Sequence, residues 1–221
     1  MKNLLLAVCV AVLTTQAMAV EFKEGQHYTT FNPPRITETP GKIEIAEFFW
    51  YGCAHCFNFE PILHKWVKKL PADTAFRRIP AVFPGKDGKP GNWANGAKIY
   101  YTLEAMGLLE KLHGEVFDAM NIDRTNLQDE KILRDWLSKK VDTKKFFDIF
   151  GSFAIQSKVQ RAQQLTLQYN LTGVPAVVVD GRYMPSSGGA GSHDEITEIL
   201  DQLIVKARQA GGKNAGNSHG R

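Results

Sequence analysis

The sequence predicts an α/β fold in which a block of helices interrupts a sheet. Residues 42–50 and 74–80 have the β-branched and aromatic composition of strands, with a helical pattern between them. Apolar residues then recur at helical spacing from 93 to 169, and strand composition returns at 174–184. Strands on both sides of a helical block along the chain are typical of an α/β domain that carries an insertion.

Length and composition allow a substantial core. The chain has 221 residues, of which 43% are hydrophobic and 23% are charged. This suffices for one domain, with or without an insertion, and it excludes collagen, a long coiled coil and wholesale disorder. The net charge of +4 is spread along the chain, and the basic pairs at 68–69, 77–78 and 139–140 stand alone. We therefore expect no nucleic-acid partner.

The first 19 residues have the pattern of a secretory signal peptide. A short positive start at 1–3 is followed by an apolar run at 4–13, and residues 17–19 (Ala-Met-Ala) form a small-x-small cleavage site. No later run approaches the roughly 20 apolar residues of a transmembrane helix. We expect a mature chain that starts at Val20 and is exported as a soluble protein.

Only two cysteines remain once this peptide is removed. Cys9 lies inside the apolar run, and a lipoprotein is the alternative interpretation, but Val8 is a poor match to the small residue that a lipobox needs there. The others, Cys53 and Cys56, are three positions apart. In an oxidising compartment they can pair with each other, or transiently with a cysteine of another protein.

The first half of the mature chain places this pair at a junction. After a lead-in at 20–41 with a possible edge strand at 28–31, the strand at 42–50 is apolar on both faces, which is typical of a central strand. Gly52 ends it, and a helix follows as far as Pro71, with apolar residues at helical spacing: Cys56, Phe59, Leu63, Val67 and Leu70. The cysteines therefore lie where a central strand passes into a helix N-terminus.

The later elements follow from composition and capping residues. In order, they are a strand at 74–80, a loop at 84–91, helices through 93–150 with Asp129 and Asp142 as N-caps, a helix at 152–169, a hairpin of 174–180 and 182–184, a C-terminal helix opened by a capping box at 192–195, and a disordered tail at 211–221. We therefore divide the mature chain into a discontinuous domain at 20–91 and 151–210 and an inserted helical domain at 92–150.

The strongest chemical signal is the segment from Cys53 to Cys56, Cys-Ala-His-Cys. Two cysteines on the first turn of a helix can close a small disulfide ring, and the first sulfur faces the free N–H groups and the positive helix end. Both effects favour a thiolate at Cys53, the attacking or leaving sulfur, and Cys56 one turn further is the buried resolving sulfur. His55 can add a positive charge or a donor beside Cys53.

Three other interpretations of the pair are weaker. A purely structural disulfide usually closes a longer loop, where the entropic gain is larger. Covalent haem would need histidine directly after the second cysteine, where this chain has Phe57. A zinc site needs four ligands, and the nearest nitrogens are those of His55 and His64. We therefore expect redox activity, with no metal and no cofactor.

Three segments together resemble the DsbA family of periplasmic thiol:disulfide oxidoreductases. They are 47–49 (Glu-Phe-Phe), the motif at 53–56, and 173–176 (Gly-Val-Pro-Ala), with a helical block between the last two. The resemblance implies a thioredoxin-like fold with an inserted helical domain, so that 20–91 and 151–210 form the thioredoxin-like part. Ala54 departs from the family, which usually has proline there, and this bears on the redox potential rather than on the reaction.

The resemblance also assigns roles to a proline and its neighbour. It implies that the Val174–Pro175 bond is cis and packs beside the disulfide, and that backbone groups of Val174 pair with an extended substrate segment. The alternative for Pro175 is an ordinary proline at the entry of a strand.

Glu47 is the remaining candidate. It lies six residues before Cys53 in a strand without a polar face, so that its carboxyl is desolvated and inclined to the neutral form. The resemblance implies that it exchanges a proton with Cys56. The alternatives are a glutamate at a strand end that reaches solvent, or one paired with Arg77 or Arg78.

Together these features predict a periplasmic thiol oxidase that donates its Cys53–Cys56 disulfide through a mixed disulfide at Cys53. The expected partners are reduced, unfolded, exported polypeptides and, from the resemblance, a membrane quinone-linked reoxidising protein of the DsbB type; we expect a monomer. A disulfide isomerase or reductase is the nearest alternative, although only about 22 mature residues precede the strand at 42–50, too few for a dimerisation domain. A peptide-binding holdase with incidental cysteines is the alternative from another class.

Overall fold

The computed structural model describes residues 21–186 and 191–216, and the predicted signal peptide lies outside these ranges. The described part contains five strands and seven helices. In chain order they are β1 (Tyr28–Thr30), β2 (Ile43–Phe49), α1 (Ala54–Val67), β3 (Thr74–Pro80), α2 (Ala94–Ala105), α3 (Leu109–Asn121), α4 (Glu130–Leu137), α5 (Thr143–Phe150), α6 (Phe153–Gln168), β4 (Ala176–Val179), β5 (Tyr183–Pro185) and α7 (His193–Gly216).

The strands form one sheet in the order β1-β5-β4-β2-β3. β2 pairs in parallel with β3 and antiparallel with β4, so the prediction of a central strand at 42–50 is confirmed. β4 starts at Ala176, two residues later than predicted, and Pro175 before it has no N–H to donate to a ladder. The edge strand predicted at 28–31 is β1, which pairs with β5.

Helices cover both faces of the sheet. On one face α1 and α7 pack against β2 and β4 through a buried cluster that includes Ile45, Phe59, Leu63, Val179 and Leu203. On the other face α6 packs against the same two strands through a cluster that includes Ala46, Phe48, Ile155, Val159 and Val178. Residues alternate between faces along a strand, and β2 has buried apolar residues on both faces because helices cover both.

The helices of the predicted insertion have a core of their own. Leu112, Phe117, Leu133 and Phe146 belong to it, and it continues without a break to Cys56 of α1. α6 packs on the sheet and not in this core, which favours placing α6 in the discontinuous domain. The domain division at 92 and 151 stays a prediction.

The predicted caps are confirmed at three helices. Asp129 Oδ1 accepts hydrogen bonds from the first turn of α4, Asp142 Oδ1 accepts one from Lys145 N of α5, and Ser192 Oγ accepts one from Glu195 N of α7. α7 continues to Gly216, so the tail predicted to begin at residue 211 is wrong over 211–216; residues 217–221 lie outside the described ranges.

Candidate active site

Cys53 lies at the point where β2 passes into α1. Its backbone is extended (φ −92°, ψ 114°), and it is the N-cap of α1, with its Sγ accepting a hydrogen bond from Cys56 N at 3.3 Å. The first turn of α1 contains no acidic side chain that would compete for the free N–H groups. The side chain is half-buried, so the sulfur remains within reach of another molecule.

The surroundings of Cys53 favour its thiolate. A hydrogen bond from the Cys56 thiol is the largest cause that lowers the pKa of Cys53, to about 6, followed by the backbone N–H groups of Cys56 and His55; burial opposes them. The charge of His55 acts in the same direction and comes last among these causes. His55 is exposed and lies in the wall of the neighbouring groove.

Cys56 has the opposite character. Its side chain is 1% exposed, and burial is the first cause that raises its pKa, together with the hydrogen bond and the charge of Cys53. The charge of Glu47 acts in the same direction. Both cysteines are free thiols in this structure. The predicted contrast between an accessible Cys53 and a buried Cys56 is thus present in the geometry.

The segment before β4 lies directly against Cys53. The Val174–Pro175 peptide bond is cis, and Cys53 Sγ lies 3.4 Å from the carbonyl oxygen of Val174. Beside them runs an open groove of about 1020 Å³. Its walls combine apolar and polar side chains, among them His55, Phe59, Thr172, Met184, His193 and Ile196.

Glu47 is buried and paired. It is 1% exposed and stands in register with Arg78 on β3 and Val177 on β4. Its Oε2 lies 3.1 Å from Arg78 Nε, in an ion pair without good hydrogen-bond angles. The solvent-facing alternative is therefore wrong, and pairing with Arg78 is right, whereas Arg77 pairs with Glu38 and Glu44.

Burial dominates the protonation of Glu47. It raises the pKa of this carboxyl to about 8, and the negative charge of Glu60 adds to the effect, while Arg78 opposes both. At neutral pH most of the carboxyl is protonated. It can then either give a proton to a nearby base or, at higher pH, accept one.

Three further side chains around the site were not predicted from the sequence. Glu60 of α1 lies one turn after Cys56 and pairs with Arg78, with Nη2 and Oε1 2.5 Å apart. His113 Nδ1 of α3 is 2.8 Å from the hydroxyl of Tyr51, and Asn121 Nδ2 donates to the Tyr51 carbonyl oxygen at 2.8 Å. The spacing of Glu60 from Cys56 on one helix is a usable signal, but the sequence carries none for the docking of α3 on Tyr51.

The aromatic residues around the motif differ in exposure. Tyr51 is 1% exposed and belongs to the same buried core as the helices of the predicted insertion. Trp50 stacks on Trp93 with ring centroids 4.5 Å apart, and Phe57 remains partly exposed.

The fold and this site define a class: a thioredoxin-fold thiol:disulfide oxidoreductase with an inserted helical domain. Residues 44–201 match the family model described as a DSBA-like thioredoxin domain. The chain therefore belongs to the DsbA family.

Individual relatives agree with this assignment. The chain is 38% identical to the thiol:disulfide interchange protein DsbA of Pseudomonas aeruginosa over 217 residues, which cover 96% of this chain and 100% of the relative. Identity to the protein of the same name from Bordetella parapertussis is 39% over 94% and 97% of the two chains. A crystal structure of P. aeruginosa DsbA superposes with a TM-score of 0.79, covering 86% of this chain and 97% of that one.

Within 21–186 and 191–216, no helix combines the length and the apolar character needed to cross a bilayer.

Proposed function

We propose that this oxidoreductase works as a dithiol oxidase, which donates a Cys53–Cys56 disulfide to newly exported polypeptides. The observation that carries the proposal is the contrast between the two sulfurs: the pKa of half-buried Cys53 is lowered to about 6, and that of buried Cys56 is raised. A favoured Cys53 thiolate stabilises the reduced enzyme, and a disulfide whose reduced form is stabilised is a strong oxidant.

The reaction has two exchange steps. A substrate thiolate attacks Cys53 Sγ, the Cys53–Cys56 bond breaks, and Cys56 leaves with the electron pair while a mixed disulfide forms at Cys53. A second substrate thiolate then attacks the substrate sulfur of that mixed disulfide. The products are an oxidised substrate and a reduced enzyme, with Cys53 as its thiolate.

Cys56 needs a proton when it leaves, because burial raises its pKa far above neutral pH. We assign Glu47 as the donor. Its carboxyl is mostly protonated at pH 7, since burial raises its pKa to about 8, and its charge acts on Cys56. In the reverse direction, when the enzyme is reoxidised, the Glu47 carboxylate accepts the proton of Cys56.

Substrate binding is assigned to the segment before β4. The Val174 carbonyl lies beside Cys53, so an extended segment that pairs with Val174 places its own cysteine next to the reactive sulfur. Pro175 donates no hydrogen bond and leaves that pairing to Val174. The groove of about 1020 Å³ accommodates flanking side chains of varied polarity, as expected for many different unfolded substrates.

The cellular setting follows from the sequence and the family. The predicted signal peptide and the two-cysteine site support a periplasmic enzyme. We propose that it acts as a monomer. A membrane quinone-linked protein of the DsbB type would reoxidise Cys53 and Cys56 through the same exchange chemistry.

The test is an exchange reaction with a measured potential. Oxidised enzyme is mixed with a reduced peptide that contains two cysteines, and the remaining thiols are counted; a glutathione titration then gives the equilibrium potential. We expect transfer of one disulfide per enzyme and a potential well above that of structural disulfides, which typically lie below about −300 mV. A potential near that of thioredoxin, about −270 mV, or below it would favour a reductase. A Cys53→Ser variant with full activity in cells would favour the holdase.

A further inference from the structure

His113 is a buried titratable residue to which the thiol chemistry described above assigns no task. It belongs to α3 of the predicted insertion, and its side chain is 11% exposed. Its Nδ1 lies 2.8 Å from the Tyr51 hydroxyl, and its Nε2 lies 3.7 Å from Glu60 Oε2. The ring therefore stands between the active-site junction and the buried charges around Glu47.

These charges are not balanced in every protonation state. Two carboxyls, Glu47 and Glu60, share one guanidinium, that of Arg78. While Glu47 is protonated, the pair of Glu60 and Arg78 is neutral. When Glu47 ionises, a second negative charge appears beside the same guanidinium, and one carboxylate needs another donor.

Among the ion pairs of the described residues, Glu60 has two partners: Arg78 and His113. His113 Nε2 and Glu60 Oε2 both lack a hydrogen bond while Glu60 is bound to Arg78 through Oε1. A donor and an acceptor thus face each other across 3.7 Å, with neither engaged elsewhere. Since hydrogen bonds of this kind close at about 3 Å, a small movement of either side chain completes the contact.

Tyr51 and Glu60, the neighbours of the two ring nitrogens, together favour one tautomer of His113. If the Tyr51 O–H donates to Nδ1, the proton of the neutral ring is on Nε2, directed at Glu60. The other tautomer would turn a lone pair of Nε2 toward the carboxylate, which is repulsive. The neutral ring is favoured because burial lowers the pKa of His113.

The groups that face this ring come from every element packed around it. They are Glu60 of α1, Arg78 of β3, Tyr51 before α1, Tyr100 of α2, and Glu110 on α3 itself, with Phe49 and Phe117 closing the remaining sides. Glu60 and Glu110 favour a proton on the ring, while burial and Arg78 oppose it.

We propose that His113 is a positioning residue for the proton transfer at Cys56: its Nε2–H binds Glu60 when Glu47 ionises, which frees Arg78 to stabilise the Glu47 carboxylate. The inference rests on the role proposed for Glu47. It makes the inserted helical domain a contributor to the chemistry, because the donor comes from α3 rather than from the sheet or α1.

The test separates the two sulfurs kinetically. Reduced enzyme reacts with oxidised glutathione in two steps: Cys53 attacks and releases one glutathione thiolate, and Cys56 then attacks Cys53 Sγ, giving its proton to Glu47 and expelling the second glutathione. Acid quenching and mass spectrometry at successive times give the lifetime of the mixed disulfide as a function of pH. We expect the rate of the second step in the wild type to rise with pH, with an inflection near pH 8, where Glu47 ionises.

In His113→Phe we expect this inflection to move upward by about one pH unit, because a hydrogen bond to a charged group is lost. Below the inflection the second step slows about tenfold, and the first step, governed by Cys53, is unchanged. Phe117→Leu is the matched control, since it loosens the same core from the same helix without removing a donor. An inflection that stays in place in His113→Phe, or that moves equally in Phe117→Leu, overturns the inference.

Two more measurements keep the outcomes distinct. Glu47→Gln should abolish the inflection, and if it does not, the role proposed for Glu47 fails together with everything that rests on it. In the folded wild type, the ¹⁵N resonance of His113 Nε2 should change as Glu47 ionises, and this step should be absent in Glu47→Gln. A resonance that is equally insensitive to pH in both proteins overturns the inference even if His113→Phe does not fold.

Discussion

The indole ring of Trp50 occupies the space that a side chain on Gly52 would need. A Cβ built on Gly52 would stand 2.5 Å from Cη2 of Trp50, far inside van der Waals contact. The ring cannot easily give way, because it stacks on Trp93 at 4.5 Å and lies against Gly96. The turn that places Cys53 at the N-terminus of α1 therefore requires glycine at position 52.

We expect Gly52→Ala to lower the free energy of unfolding by about 1–3 kcal/mol, since the added methyl group overpacks this contact. The stacked tryptophans should separate and change the intrinsic fluorescence. Chemical denaturation followed by fluorescence measures both effects. Gly114→Ala is the control: this glycine is exposed within α3, nothing lies within 4 Å of its Cβ position, and we expect a gain of about 0.5–1 kcal/mol. Equal stability of the two variants would contradict the role of Trp50.

Replacing Cys56 by serine should trap substrates. In Cys56→Ser the accessible sulfur of Cys53 remains and the resolving sulfur is gone, so mixed disulfides at Cys53 accumulate. Non-reducing gels of periplasmic extract, with the enzyme detected by antibody, show such adducts directly. Cys53→Ser is the matched control and should form few adducts, because Cys56 is 1% exposed. Adducts that accumulate on Cys56 instead would reverse the assignment of the two roles.

His55 should influence how oxidising the enzyme is. Its ring is one of the causes that lower the pKa of Cys53, so His55→Ala should raise that pKa and stabilise the disulfide relative to the dithiol. Each pKa unit at Cys53 corresponds to about 1.4 kcal/mol, or roughly 30 mV for a two-electron couple. Because the Cys56 contacts and backbone N–H groups remain, the pKa should stay below that of a free cysteine.

Thiolate absorbance near 240 nm followed against pH, with a glutathione titration, measures the two quantities for His55→Ala. His64→Ala is the control, since His64 is an exposed histidine near the other end of α1. A potential that does not move when the pKa of Cys53 rises would break the expected link between them.

The stability of the enzyme should depend on pH through Glu47. Burial raises the pKa of this group from 4.5 to about 8 in the folded state, so its contribution to stability is complete below about pH 4.5 and is lost as the pH rises through 8. Gln cannot ionise, and Glu47→Gln should therefore gain stability relative to the wild type over this interval. We expect about 1–2 kcal/mol at pH 8, less than the full shift, because Arg78 loses a partner.

Urea denaturation at several pH values checks this prediction. Glu38→Gln is the control, because folding shifts the pKa of Glu38 in the opposite direction. Burial raises this pKa, but the bonds of Glu38 to Arg161 and Arg77 outweigh burial and lower it. That variant should show no gain as the pH rises. A difference between Glu47→Gln and wild type that is constant from pH 4.5 to 8 would mean that folding does not raise the pKa of Glu47.

Much of the fold can be predicted from the sequence because local patterns are strong here. The central position of β2 follows from apolar residues on both faces, and β3 has the predicted bounds, Thr74–Pro80. The caps at Asp129 and Asp142 depend on residues only two or three positions away. The end of α7 is different, since the glycines at 211 and 212 suggest a stop but the helix continues to Gly216.

The sequence by itself determined the reactive group of this protein, because Cys53, His55 and Cys56 are neighbours along the chain and the first turn of a helix gives them their geometry. Only the tertiary structure decided what surrounds them. Val174 reaches Cys53 from 121 positions away, and His113 reaches Tyr51 from 62 positions away. Such contacts depend on how the sheet and the inserted helices pack, and no local pattern encodes that packing. The same packing decided the state of Glu47, whose burial between β3 and β4 outweighs its pairing with Arg78.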